Sequence, residues 1–280
     1  MLAASRWSGE TKEINAHGAF TNLVENTFSQ HEDTIVALLV KYPEVERAFI
    51  TGHSLGGGIA NVAHLVVRGQ LALAQAGLLG PTSPWAKLGD KVIKWSACTF
   101  ASPQTIVRKY ETDNKPEPPL MAELDASSYN LVYECDMFPR VLGMLKYLGA
   151  FLEIVAPTVA DIKLNGFVDH LNWAAKAYLF PGFAIVKPKD KFEELGVDAV
   201  EIMKHKGLSE VMAQFTHTGT VVYLAPKANN YVYLLGKTDI HDVLDVDGKK
   251  FKTLLGDPKD YAKSLGEAHG HSYDKFVFAK

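Results

Sequence analysis

The segment from Phe49 to Ala60, FITGHSLGGGIA, constrains the fold of this chain more than any other. An apolar stretch typical of a strand precedes Ser54, and a glycine-rich stretch typical of a helix follows it. Residues 52–56, GHSLG, match the G-x-S-x-G pattern, in which a serine stands on a sharp strand-to-helix turn. Glycines let neighbouring backbone approach such a turn closely. The segment therefore predicts a strand-turn-helix unit that presents the Ser54 hydroxyl at the carboxyl end of a strand.

The segments around this unit predict an α/β fold with a doubly wound, mostly parallel sheet. Residues 23–41 have apolar side chains at helical spacing and predict a helix that ends near Pro43. Two later runs, KVIKWSACTFAS and YNLVYECD, are typical of strands, and the proline-rich loop ETDNKPEPP lies between them. Near the C-terminus, TVVYLAPKANNYVYLLG predicts two strands around a turn at residues 229–230.

Composition limits the class of protein. The chain has 280 residues, a formal net charge of −3 and 47% hydrophobic residues, which fits one large domain over residues 1–280. The near-neutral charge gives no support for a nucleic-acid partner. Cys98 and Cys135 are the only cysteines, so we expect a free, buried pair and no disulfide framework. The N-terminal residues contain no apolar signal core, which favours a cytoplasmic protein.

An apolar segment, VLGMLKYLGAFLEIVAPTVADI, follows Pro139 within a region we take as an insertion over residues 141–210. Lys146, Glu153 and a later aspartate interrupt it, so no uncharged run reaches the ~18 residues of a membrane span. We expect a packed amphipathic helix and no transmembrane helix. Its apolar stripe either packs on the body of the protein or meets lipid.

A serine nucleophile needs a base, and the base needs an acid that orients it. Asp136 directly follows a predicted strand, at the sheet edge where catalytic groups gather. When the acid precedes the base in the chain, the late histidines His217, His269 and His271 are the candidates for the base. The backbone N–H of Leu55, at the start of the predicted helix, is a candidate oxyanion donor.

Motifs in order along the chain resemble those of the class 3, fungal-type lipases, which belong to the α/β-hydrolase superfamily. HGAF resembles the family's H-x-G-F element, TGHSLGGGIA its nucleophile turn, and TFASPQ its T-F-G-x-P strand end, with Ala101 in place of the glycine. VYECDMFPRV resembles the segment with the catalytic aspartate, and FTHTGTVVYL resembles a late strand with a structural histidine. The similarity covers roughly residues 14–140 and 210–280.

The resemblance implies a role for each candidate. Ser54 is the nucleophile, Asp136 the orienting acid and His217 a structural residue. HSYDKF resembles the terminal segment, in which the catalytic histidine precedes an aromatic residue by about five positions. That spacing favours His271 as the base, whereas His269, with an aromatic residue four positions later, is the alternative.

The implied activity is that of a serine ester hydrolase of the lipase type. Its substrates would be acyl-lipid esters (triacylglycerol, diacylglycerol or a polar lipid, as for a phospholipase A1), met at a membrane or droplet surface and cleaved through an acyl-enzyme. No cofactor and no metal is expected. A rival hypothesis is a non-catalytic lipid-binding or scaffold protein with a degenerate hydrolase fold.

The chain departs from the family pattern in two ways. The first motivates the hypothesis of a non-catalytic protein, and the second motivates the expectation of a cap over the site. The family has a strand ending in F-R-G-[ST] upstream of H-x-G-F, and its small residue supplies the second oxyanion donor. The sixteen residues before His17 contain no such motif, so we expect the family's N-terminal strands to be missing. The stretch from Asp136 to the late histidines is long for compact members, which suggests that residues 141–210 cap the site.

Overall fold

The computed structural model describes part of the chain. The described residues are 2–4, 14–89, 91–108, 111, 114–133, 136, 139, 214–225, 230–234 and 269–270. The expected insertion at 141–210 lies outside them, as does Cys135. Cys98 is free and only partly buried, and burial raises the pKa of its thiol.

The described chain contains both strands and helices, with strands or helices following one another directly at several places. Strands β1 to β9 span Leu2–Ala4, Ile14–His17, Arg47–His53, Lys94–Phe100, Ile106–Arg108, Ser128–Tyr133, Phe215–Thr216, Thr220–Ala225 and Asn230–Leu234. Helices α1 to α4 span Gly18–Asn26, Glu32–Lys41, Leu55–Gln75 and Pro119–Ser127. Short 3-10 helices lie at Ser29–His31 and Pro84–Leu88.

The central sheet has the strand order β3-β4-β6-β8-β9. Its first four strands are parallel, and β9 pairs antiparallel with β8. The predicted parallel sheet and the two predicted C-terminal strands are therefore confirmed. The turn predicted at residues 229–230 was wrong, because Asn230 already belongs to β9 and pairs with Ala225. Because His53 pairs with Phe100 at the ends of β3 and β4, the chain leaves the sheet at its carboxyl edge directly before Ser54.

A smaller sheet pairs β1, β2, β5 and β7 antiparallel. Helix α3 packs against α1, β3 and β4, and its buried residues include several glycines, alanines and valines. A Cβ atom on Gly58 would lie 2.3 Å from the buried ring of Phe20, so this glycine sets the approach of α1 to α3. Among the described helices, none is both long enough and apolar enough to cross a membrane.

The prediction of one continuous helix over residues 23–41 was wrong. The structure has two helices in this region, α1 and α2, with a break between them. The Asn26 side chain donates to the carbonyl of Asn22 at 2.8 Å, and the Thr27 hydroxyl donates to the carbonyl of Leu23 at 2.7 Å. Such side-chain bonds compete with the helical main chain. Thr27 accordingly leaves helical geometry, with φ −120° and ψ −75°.

Candidate active site

Ser54 occupies a strained turn between β3 and α3. Its φ of 55° and ψ of −124° are unusual for a residue with a side chain. The amide of Ser54 donates to the carbonyl of Phe100 at 2.9 Å, which ties the turn to β4. A Cβ atom on Gly52 would lie 2.1 Å from the carbonyl oxygen of Gly56, and one on Gly57 would lie 2.8 Å from the Ser102 Cβ. The glycines therefore allow the close backbone packing that holds the serine in this conformation.

The first turn of α3 begins immediately after Ser54. The amides of Gly57 and Gly58 donate to the carbonyl of Ser54 at 2.9 and 3.2 Å. The amide of Leu55 precedes these bonds, so helix geometry gives it no carbonyl partner within the helix. A free helical N–H beside the serine is suited to bind developing negative charge, and Leu55 stays our predicted oxyanion donor.

A histidine joins Ser54 to a buried carboxylate. His269 Nε2 lies 2.6 Å from Ser54 Oγ, and His269 Nδ1 lies 3.1 Å from each carboxylate oxygen of Asp136. An ionised carboxylate only accepts hydrogen bonds, so Nδ1 carries the proton and Nε2 accepts from the serine hydroxyl. This is the tautomer that a general base for serine requires.

Asp136 lies three residues beyond the end of β6, at the carboxyl edge of the sheet. Its amide donates to the carbonyl of Tyr133 at 3.0 Å, and its side chain is fully buried. A buried carboxylate is costly unless it is paired and hydrogen-bonded. The His269 side chain, which is only 15% exposed, supplies such a partner.

The sequence-predicted site residues have different outcomes. Ser54, Leu55 and Asp136 lie together at one edge of the sheet, as expected for parallel strands. The histidine that contacts both Ser54 and Asp136 is His269, which the sequence analysis gives as the alternative to His271. His271 lies outside the described residues.

His217 lies in a buried structural network. Its Nε2 donates to the carbonyl of Ser102 at 2.8 Å, and its own carbonyl accepts from Arg108 Nη2 at 3.1 Å. Arg108 also makes a two-pronged pair with Asp125 at 2.7 and 2.8 Å. These contacts agree with the structural role that the resemblance implies for His217.

Sequence reasoning missed the polar side chains that fix α3 against the sheet. Asn61 Nδ2 donates to Ser102 Oγ at 2.9 Å and to Asn130 Oδ1 at 3.0 Å, and Thr99 Oγ1 donates to the same Asn130 oxygen at 2.7 Å. These residues lie in α3, β4, β6 and the turn after β4. They are single polar residues in apolar runs, and their burial is visible only once the elements are packed.

Two further histidines are buried. Burial lowers the pKa of His17 to about 4 and that of His64 to about 4, because a charged imidazole is poorly solvated in the core. Both are therefore neutral near pH 7. Within the part of the chain that the structure describes, no group of histidine, cysteine, aspartate and glutamate side chains could hold a metal ion.

The parallel sheet, the serine on its strand-to-helix turn and the histidine-carboxylate pair define the α/β-hydrolase class. The family model described as Lipase (class 3) matches residues 3–146, and the chain belongs to the class 3 lipase family. This is a family of lipase-type hydrolases of the α/β-hydrolase fold, and the resemblance inferred from the motifs is confirmed.

Three solved structures are similar to this chain. Lipase II from Rhizopus niveus is 16% identical over 51% of this chain and 44% of its own, with a TM-score of 0.36. Triacylglyceride lipase from Rhizomucor miehei is 12% identical over 87% and 58%, with a TM-score of 0.41. Lipase from Rhizopus microsporus var. chinensis is 19% identical over 50% and 39%, with a TM-score of 0.31.

The chain thus covers between 39% and 58% of the length of these three lipases. No curated protein matches it.

Proposed function

We propose that this protein is a serine ester hydrolase that cleaves acyl-lipid esters through Ser54, His269 and Asp136. The observation that supports the proposal most is the continuous hydrogen-bond chain from the serine hydroxyl through the imidazole to the carboxylate. Membership in the class 3 lipase family supports the lipid class of the substrate.

In the acylation step, Ser54 Oγ attacks the ester carbonyl while His269 Nε2 takes the hydroxyl proton. Asp136 holds the imidazole through Nδ1 and stabilises the positive charge that forms on it. The Leu55 amide donates to the oxyanion of the tetrahedral intermediate. The imidazolium then returns the proton to the leaving alcohol, the ester C–O bond breaks, and an acyl-serine remains.

In the deacylation step, water takes the place of the alcohol. His269 Nε2 removes a proton from the water as its oxygen attacks the acyl carbonyl. Collapse of the second intermediate releases the fatty acid and returns the proton to Ser54 Oγ. The same residues therefore serve both halves of the reaction.

We assign the base to His269 and not to His271. The two histidines are separated by one residue, and each is followed by an aromatic residue at a spacing close to the family's. The motif alone therefore separates them poorly. The 2.6 Å contact with Ser54 Oγ and the contacts with the Asp136 carboxylate favour His269.

Hydrolysis of p-nitrophenyl butyrate by the purified chain, beside Ser54→Ala, tests the proposal. We expect measurable turnover that Ser54→Ala abolishes. A folded protein that neither hydrolyses this ester nor binds a fluorophosphonate at Ser54 would contradict it. That result would support the rival hypothesis of a non-catalytic lipid-binding or scaffold protein. Once activity that depends on Ser54 is found, a panel of triacylglycerol, diacylglycerol and phospholipid substrates would identify the preferred head group.

A further inference from the structure

We propose that His53 is a positioning residue that fixes the main chain of the base, His269, relative to the nucleophile. The inference rests on the proposed function, because it concerns how the base is held. His53 directly precedes the serine, at the position written x in the G-x-S-x-G pattern, and it has no role in the proposed acylation and deacylation steps.

The central contact joins the His53 ring to the backbone of His269. His53 Nε2 lies 2.6 Å from the carbonyl oxygen of His269, across 216 positions of sequence. A carbonyl oxygen only accepts hydrogen bonds, so Nε2 of His53 carries a proton and donates it. The two rings also lie against each other, with centroids 5.0 Å apart and planes tilted by 45°.

The position of His53 makes this contact a direct link between nucleophile and base. His53 is the last residue of β3, and it pairs with Phe100 in the parallel sheet. Its backbone is therefore held by the sheet, one residue before the strained Ser54. A hydrogen bond from this residue positions the His269 main chain against the end of β3, directly before Ser54.

The His269 main chain needs such an anchor because the residue that follows is Gly270, which is exposed. Glycine has the widest backbone freedom of any residue. Rotation of the peptide between His269 and Gly270 would therefore move the His269 imidazole away from Ser54. The Asp136 carboxylate fixes the ring at Nδ1, and His53 fixes the backbone carbonyl. One of these contacts acts through the side chain of His269 and the other through its main chain, and both restrain the direction of Nε2.

Two substitutions separate the hydrogen bond from the bulk of the side chain. The Gln amide nitrogen reaches the place of Nε2, so His53→Gln keeps a donor, whereas His53→Leu keeps similar volume without one. We expect His53→Leu to lower kcat on p-nitrophenyl butyrate about tenfold with little change in KM, because misplaced catalytic groups slow the chemical step. His53→Gln should recover most of the loss. His31→Leu, a change at another exposed histidine, is the matched control.

A spectroscopic measurement tests the geometry without requiring turnover. Imidazole ¹⁵N–¹H NMR of the full chain should show His53 protonated at Nε2 and His269 protonated at Nδ1. In His53→Leu, the downfield Nδ1–H resonance of His269 should shift upfield or broaden, and in His53→Gln it should stay.

Three results would overturn the inference: a His53 ring protonated only at Nδ1, an unchanged His269 resonance in His53→Leu, or equal losses of kcat in the Leu and Gln variants. If Ser54→Ala keeps the activity of the wild type, the proposed function fails instead. A wild type that depends on Ser54, together with a fully active His53→Leu, would remove only the role of His53.

Discussion

At the scale of single residues, two of the three described non-glycine residues with positive φ are Ser54 and Ala101, the residues that directly follow the paired strands β3 and β4. Ser54 has φ 55°, and Ala101, at the end of the neighbouring strand, has φ 51°. Left-handed backbone costs a residue with a Cβ atom about 1–2 kcal/mol. Ala101 stands where the family motif has glycine, so the chain retains the turn and accepts the strain of a side chain there.

Replacing Ala101 with glycine should cost less stability than replacing the equally buried Ala97 with glycine, because relief of the backbone strain at Ala101 offsets the lost burial of the methyl group and the added freedom of the unfolded chain. Urea unfolding of Ala101→Gly measures the change. Ala97→Gly is the matched control: Ala97 is a buried residue of extended β4, and its replacement should destabilise the protein. Equal destabilisation by both substitutions would contradict the assignment of strain to Ala101.

His64 should make the protein less stable in acid. Burial lowers its pKa from 6.5 to about 4, so between these values the unfolded chain binds a proton that the folded chain excludes. The free energy of unfolding should fall as the pH drops from about 6.5 to about 4. Urea unfolding at a series of pH values should show a shallower fall for His64→Gln. Parallel curves for the two proteins would show that His64 does not contribute.

At the scale of elements, the sequence predicted the units whose pattern is local. The strand before Ser54, the glycine-rich helix, the strands β4 and β6 and the two C-terminal strands all follow from apolar runs and turn residues. Helix α4 was missed because its nine residues follow a proline-rich loop, and Pro119 at its first turn resembles a continuation of that loop. The break between α1 and α2 was missed because it depends on side-chain bonds to the backbone.

The glycines of α3 differ in what they do, and two substitutions should show it. A Cβ atom on Gly58 would overlap the Phe20 ring, so Gly58→Ala should cost about 1–3 kcal/mol of stability. Among the described residues, nothing beyond the local backbone lies within 4 Å of a Cβ atom on Gly56, so Gly56→Ala should be neutral or stabilising.

Thermal unfolding of both variants measures the difference. Adding Phe20→Leu to Gly58→Ala should restore part of the loss by making room for the methyl group. Equal stability of the two single variants would mean that α1 does not pack against Gly58 as described.

At the scale of the whole molecule, the site joins residues from distant parts of the chain. The motifs, their order along the chain and the family resemblance identified Ser54, Asp136 and a late histidine as candidates. They did not select between His269 and His271, because both meet the same local pattern and only the contact with the serine distinguishes them. The polar network that holds α3, and the bond from His53, also depend on packing between distant segments.

The segment at 141–210 remains a predicted cap over the site. Because its sequence has an amphipathic apolar stripe, we propose that it presents apolar surface to lipid. Deleting it should reduce hydrolysis of emulsified long-chain esters more than hydrolysis of soluble short-chain esters. The ratio of the two activities is the measurement, and equal losses would contradict a lipid-facing role.

The most direct test of the account compares the two histidines that the sequence left open. Hydrolysis of p-nitrophenyl butyrate would be measured for the wild type, His269→Gln and His271→Gln, with thermal unfolding to confirm that each protein is folded. We predict that His269→Gln lowers kcat by about 10⁴, the scale of losing the general base of a serine hydrolase, while His271→Gln stays within a few-fold of the wild type. The reverse pattern, with His271→Gln inactive and His269→Gln active, would contradict it.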